Sequence, residues 1–227
     1  MAAQGAESRD ALLAGLTSEL LEAFRRGDEE GALRMLQRAL SSGLDGPSLY
    51  LGVFQPALDQ VGYLWEAGQA SIAEEHQATA MTEWLMRTIW MEFQPRTSRA
   101  GSPLLLATCV PGERHDLGIT MVSDFLRRDG WKVVNLRADL PAPQITRMVG
   151  KVRPGLCLLS AATAERLPDL RSTIAELRSL RADMPILVGG VVFRHDPTLA
   201  AGTGATGTAR DAAEAVDRVH DLLGARG

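Results

Sequence analysis

Apolar positions along the chain change their period near its middle. From Ser8 to Arg26, Leu12, Leu13, Leu16, Leu20, Leu21 and Phe24 recur at helical spacing. Gly27 stops that run. Asp28 is placed to cap a second helix, which carries Ala32, Leu33, Met35, Leu36 and Leu40 and ends at Ser42-Gly43. A third helix is expected from Pro47 to Ala67, bent or split at Pro56, because proline cannot donate into the helical ladder. Ser71-Ile72-Ala73-Glu74 reads as a capping box opening a fourth helix, which continues through Trp84, Ile89 and Trp90 to Phe93. Four helices joined by short turns predict an antiparallel bundle.

After the linker-like stretch Gln94 to Ser102, the pattern becomes short apolar runs alternating with amphipathic segments. The runs are Leu104–Val110, Val133–Leu136, Leu156–Leu159 and Ile186–Val192, with a short fifth near Thr206–Thr208. The helical segments fall at 117–129, 142–152, 166–181 and 211–224. Such alternation predicts right-handed crossovers and a doubly wound, Rossmann-like parallel sheet of five strands. The expected organisation is a helical bundle at 7–93, a linker at 94–102 and the sheet domain at 103–227. Sheets of this kind bind ligands at the carboxyl ends of their strands.

Composition narrows the function classes. The net charge of −4, with no Lys/Arg-rich arm, argues against this chain gripping nucleic acid by itself. Both cysteines, Cys109 and Cys157, lie in apolar runs and read as buried thiols of a reducing cytosol. There is no signal-like N-terminus and no apolar run long enough to span a bilayer, so a cytoplasmic protein is expected.

The chemistry concentrates on Val110-Pro111-Gly112-Glu113-Arg114-His115-Asp116-Leu117-Gly118, where the first strand hands over to a helix. A neutral imidazole there can serve as an axial metal ligand. It serves better when its other ring nitrogen donates to a carboxylate. Glu113 is the favoured partner and Asp116 the weaker one. Gly118 would let a ligand pass close to the backbone. One histidine cannot hold a bare ion, so the metal would arrive in a macrocycle. At the same edge, Ser160-Ala161-Ala162-Thr163 closes the third strand and Gly189-Gly190 interrupts the fourth. Small side chains there would leave a slot for a narrow ligand tail, with hydroxyls from Ser160 and Thr163.

Glu113-x-His115-x-x-Gly118, Ser160 and Gly189-Gly190 together resemble the cobalamin-binding domain of methionine synthase, corrinoid methyl carriers and cobalamin photoreceptors. That resemblance implies that His115 is the lower axial cobalt ligand and that the cofactor's tail fills the slot. Ala162 departs from the family's Leu or Thr, and Thr163 follows one place later.

In the bundle, Trp65 precedes Glu75-His76 by nine intervening residues, with the Gly68–Ala70 turn between. His76 shares a helical face with Ile72, Ala73 and Ala80, and that face is expected to point inward, to the bundle or to a partner domain. The pattern resembles the Trp-x9-Glu-His signature of cobalamin-dependent photoreceptors. There the bundle caps adenosylcobalamin, the tryptophan packs on the adenosyl group and the glutamate hydrogen-bonds it. Glu66 stands where the light-regulated repressors have a histidine, which leaves His76 as the bundle's candidate upper ligand, or else water or no protein ligand at that site. No helix-turn-helix module precedes the bundle, so the chain reads as the sensor half. Trp84 and Trp90 read as bundle core or oligomer contacts, His195 as a surface-loop residue and His220 as solvent-facing.

The resemblance therefore implies a non-enzymatic light sensor that binds adenosylcobalamin and signals through oligomer or protein-partner contacts. It also leaves room for a second, bilin chromophore, to which no residue of the sequence points. The alternative is a corrinoid methyl carrier serving methyltransferases.

Overall fold

The computed structural model describes residues 2–95 and 101–224, with side chains from residue 9 onward; most of the expected linker, residues 96–100, lies outside the described residues. The chain divides into two compact units, Met1–Phe93 and Gln94–Gly227.

The first unit is helical. It comprises α1 (Ala2–Arg26), α2 (Glu29–Ser41), α3 (Gly46–Leu49), a π-helical turn (Tyr50–Phe54), α4 (Gln55–Glu66) and α5 (Ile72–Thr88), followed by a 3-10 turn (Trp90–Phe93). Asp28 caps α2 by accepting from the Gly31 amide at 2.8 Å. At the start of α5, Ser71 and Glu74 form the reciprocal capping box. Pro56 explains the irregular third helix. Lacking an N–H, it cannot donate to the carbonyl of Gly52, which instead accepts from Thr17 Oγ1 of α1 at 3.2 Å. The widened turn just before it closes with Gln55 N–H donating to Tyr50 O. A Cβ at Gly52 would meet the tip of the Leu13 side chain at 2.9 Å, so α1 packs closely on this turn. The fourth helix stops at Thr88, earlier than expected. Phe93 then turns back to stack on Tyr50, with ring centroids 4.2 Å apart.

The second unit alternates strand and helix: β1 (Leu105–Cys109), α6 (Leu117–Arg128), β2 (Val133–Asn135), α7 (Ala142–Val152), β3 (Leu156–Ser160), α8 (Leu167–Leu180), β4 (Ile186–Gly189), α9 (Val191–His195), β5 (Gly207–Thr208) and α10 (Ala212–Leu223). All five strands are parallel, in the order β2-β1-β3-β4-β5. This is the doubly wound fold that the alternation predicts. The strands read as unbroken apolar runs because both faces are covered. Leu106, Cys157, Leu159, Ile186 and Val188 pack towards Val149 of α7 and Leu170, Ile174 and Leu177 of α8. Leu105, Ala107, Leu156, Leu158 and Leu187 pack towards Ile119 and Leu126 of α6 and Val219 of α10.

The fourth strand is shorter than expected. Gly189-Gly190 ends it rather than interrupts it, and Val191-Val192 already belong to α9. The order reverses between β1 and β3, which opens a crevice at their carboxyl ends. Among the described residues, no helix is long and apolar enough to cross a membrane.

Candidate functional site

The loop from β1 to α6 enters that crevice. Glu113 is 2% exposed, although its carboxylate is charged chemistry in a dry place. Its hydrogen bonds account for this. Oε1 accepts from the backbone N–H groups of Arg114 and His115 at 2.8 and 2.9 Å. His115 Nδ1 lies 2.6 Å from the same oxygen. Oε2 accepts from the Ala162 amide, beyond the end of β3, at 2.7 Å. Burial pushes the Glu113 pKa up, but these donors outweigh it and hold the carboxyl down at about 2. An ionised partner at that distance assigns the proton to Nδ1 of His115. Nε2 is then the nitrogen that a metal would take. The imidazole side chain is 57% exposed, so it stands at the edge rather than inside the sheet.

This geometry carries a pH prediction. The folded pKa of Glu113, about 2, lies below the 4.5 of an ordinary glutamate. The stabilisation is therefore fully present above about pH 4.5 and is lost as pH falls towards 2. It amounts to about 3 kcal/mol at 1.36 kcal/mol per pH unit. Urea unfolding between pH 7 and pH 2.5 should show this loss. Glu113→Gln should flatten it, and an unchanged slope would contradict the assignment.

Asp116 does not reach His115. Its carboxylate accepts from Arg137 Nε at 2.6 Å and Nη2 at 3.3 Å, so of the two candidate partners Glu113 alone holds the ring. Gly118 lies in the first turn of α6, where an added Cβ would meet nothing within 4 Å. The protein's own packing does not require glycine there. Cys109, Ser160 and Gly189 are direct cross-strand neighbours in register, forming a level row of small side chains across β1, β3 and β4. Gly190 has a different role. Its φ is 116°, and a Cβ would lie 2.0 Å from the Ala161 carbonyl oxygen, so its absence lets two strand ends meet. Thr163 is exposed and opens a 3-10 turn without capping it through its side chain.

Burial pushes the Cys109 thiol up, and the nearby Glu113 and Asp116 carboxylates push it further. It stays a neutral wall residue, with Sγ 3.7 Å from the His115 carbonyl. Among the described residues, no group of three His, Cys, Asp or Glu side chains could hold a bare metal ion.

The bundle residues fall differently from expectation. His76 is 72% exposed, and Ile72, Ala73 and Ala80 are exposed with it. This face does not enter the bundle. Core packing uses the row Ala78, Met81, Thr82, Leu85 and Met86. The larger apolar side chains lie on that row, so it wins the interior. Glu75 is partly buried, accepts from Thr79 Oγ1 at 2.9 Å and lies 3.7 Å from His76 Nε2. Trp65, in the last turn of α4, is 44% exposed. Trp84 and Trp90 are also exposed rather than core.

Two histidines depart from their readings. His195 ends α9 instead of lying in a loop. His220 is largely buried, with Nε2 2.7 Å from Asp129 Oδ2 and its ring edge-on to Trp131. Sequence reasoning also missed the Ala162 amide and Arg137. Nothing local marks either, because one is a backbone group and the other lies 21 positions from its partner.

Comparison with known proteins adds to this picture. Two family models, each described as a B12 binding domain, match residues 103–217 and 16–89. The HTH-type transcriptional repressor CarA of Myxococcus xanthus is 30% identical over 144 residues, 63% of this chain and 47% of the repressor. The chain thus spans about half that repressor's length. Trimethylamine corrinoid protein 1 of Methanosarcina acetivorans is 26% identical over 74% of this chain and 80% of its own. In fold, the chain resembles the monomethylamine corrinoid protein of Methanosarcina barkeri, with a TM-score of 0.80 and 19% identity over 92% of this chain and 99% of that one.

The residues present fit a corrinoid. His115 offers one exposed imidazole whose tautomer is assigned by a buried carboxylate. The open approach at Gly118 and the row Cys109, Ser160 and Gly189 provide room at the same edge. With this edge on the second unit and a single family model covering just over half of the sequence, the chain belongs to the B12-binding domain family.

Proposed function

We propose that this chain is a light-responsive sensor that takes adenosylcobalamin as its cofactor and has no turnover of its own. The observation that carries this reading is the disposition of Trp65, Glu75 and His76 around the α4–α5 turn. The bundle core uses none of the three; His76 is largely exposed and Trp65 is 44% exposed. Similarity to a transcriptional repressor supports a regulatory role.

Adenosylcobalamin, when bound, supplies a cobalt–carbon bond that visible light breaks. His115 would hold the cobalt through Nε2, while Glu113 keeps the proton on Nδ1. Asp116, Gly118, Ser160, Thr163 and Gly189 would complete the lower site, with Gly190 letting the strand ends beneath it meet. Trp65 offers its ring to the adenosyl group and Glu75 accepts a hydrogen bond from it. Loss of those contacts in light would release Trp65 and Glu75 and thereby alter oligomer or partner contacts. Glu66 brings no imidazole, so His76 would be the bundle's candidate upper ligand after photolysis, with water or no protein ligand as the alternative. The output is on transcription, through a regulatory partner in the cytoplasm.

A second reading, a corrinoid methyl carrier, is favoured by similarity to trimethylamine corrinoid protein 1 over four-fifths of that protein's length. One experiment separates the two. The chain is loaded with adenosylcobalamin in the dark, and its visible spectrum and elution volume are recorded before and after green light. The sensor is expected to change both, and Trp65→Ala should abolish the change in elution. A changed spectrum with an unchanged elution volume would favour the carrier.

A further inference from the structure

We infer that Arg137 is a positioning residue for His115, acting through Asp116; this rests on His115 being the axial ligand of the cofactor. Asp116 occupies the N-cap position of α6, where an aspartate ordinarily accepts from the helix's own amides. Here its side chain makes no capping bond. It turns towards the loop after β2 and receives both Nε and Nη2 of Arg137, at 2.6 and 3.3 Å.

The backbone of Arg137 is committed to that contact. Its φ is 62°, a left-handed conformation that favours glycine. Local bonds hold it there. Its N–H donates to Asn135 Oδ1 at 2.8 Å, and its carbonyl accepts from the Cys109 amide at 2.8 Å and Thr108 Oγ1 at 3.1 Å. Asn135 in turn donates to Thr120 Oγ1 on α6 at 3.3 Å. A disfavoured conformation persists where its surroundings over-determine it, and this one aims the guanidinium at Asp116.

Sheet order supplies the reason. β1 lies between β2 and β3, so the loop carrying His115 can be tethered from both sides. Glu113, two residues before His115, ties it to the β3 side through the Ala162 amide. Asp116, the residue after, ties it to the β2 side through Arg137, and the Asp139 amide adds a bond to the Glu113 carbonyl at 3.3 Å. His115 is thus set between two anchored carboxylates. A planar guanidinium fork fixes both oxygens of Asp116, which a lysine ammonium cannot do.

The test compares wild type with Arg137→Gly, Arg137→Lys and Asp116→Asn. Each is melted without cofactor and titrated with aquocobalamin. Each is then reduced to the cobalt(II) form for electron paramagnetic resonance, with the protein labelled with nitrogen-15 at histidine, so that the nitrogen splitting read is that of the protein's imidazole and not of the cofactor's own base. Glycine accepts the backbone conformation, so Arg137→Gly should fold. Its affinity should fall about tenfold, the usual scale for losing a partner that orients a metal ligand. Its nitrogen-coordinated fraction should fall as well. Asp116→Asn should match it, and Arg137→Lys should recover little of the nitrogen-coordinated fraction. A lower melting point with unchanged affinity and unchanged splitting would overturn the inference, leaving Arg137 merely structural. A wild type that binds without nitrogen splitting would instead remove the axial reading of His115 itself.

Discussion

Replacing His115 with alanine is expected to weaken cobalamin binding by at least about 100-fold, because losing even a partner that supports a metal ligand costs about 10–100-fold. The visible spectrum of any cofactor still bound should lose its imidazole-ligated form. The fold should survive. The imidazole is more than half exposed, and Glu113 keeps its bonds from the Arg114, residue-115 and Ala162 amides. Losing one donor to this buried carboxylate should cost about 1–3 kcal/mol, a fraction of a domain's stability. Thermal melting without cofactor, with titration by aquocobalamin, checks both halves. Unaltered spectra for the bound cofactor would show that His115 is not the axial ligand.

Gly190→Ala should do the opposite, damaging the fold before the site. The added Cβ would lie 2.0 Å from the Ala161 carbonyl oxygen and 2.7 Å from its carbon, both backbone atoms that no side-chain rotation can move. A φ of 116° adds conformational strain. To make room, the ends of β3 and β4 must part, which breaks the 3.0 Å bond from the Ala161 amide to the Gly189 carbonyl. Together these cost roughly 3–5 kcal/mol, a large share of a domain's stability. Denaturant unfolding of the variant measures it; a loss below 1 kcal/mol would mean that the strand ends are softer than their geometry implies.

Gly189→Ala is the instructive contrast. Its Cβ would meet the Ala209 carbonyl at 3.4 Å, an ordinary contact. It should fold and narrow only the row shared with Ser160 and Cys109. Adjacent glycines that look equivalent in the sequence therefore serve different ends. One permits close approach of two strand ends, and the other leaves space at the sheet edge.

The same division runs through the whole molecule. Periodicity alone predicted the helices of the first unit and the parallel sheet of the second, because burial imposes a period of 3.6 on a helix and continuous apolar runs on a two-sided strand. Local chemistry was equally legible. The Asp28 cap, the Ser71–Glu74 box and the Glu113–His115 pair all join residues within three positions of each other. Tertiary structure alone decided what lies across the sheet. Strand order brings the Ala162 amide to Glu113 over 49 positions and Arg137 to Asp116 over 21. It was also packing, and not pattern, that left His76 exposed and enclosed His220 against Asp129 and Trp131. A helix with more than one plausible face buries the one whose side chains fill the space its neighbours leave, and that space does not exist until the chain has folded.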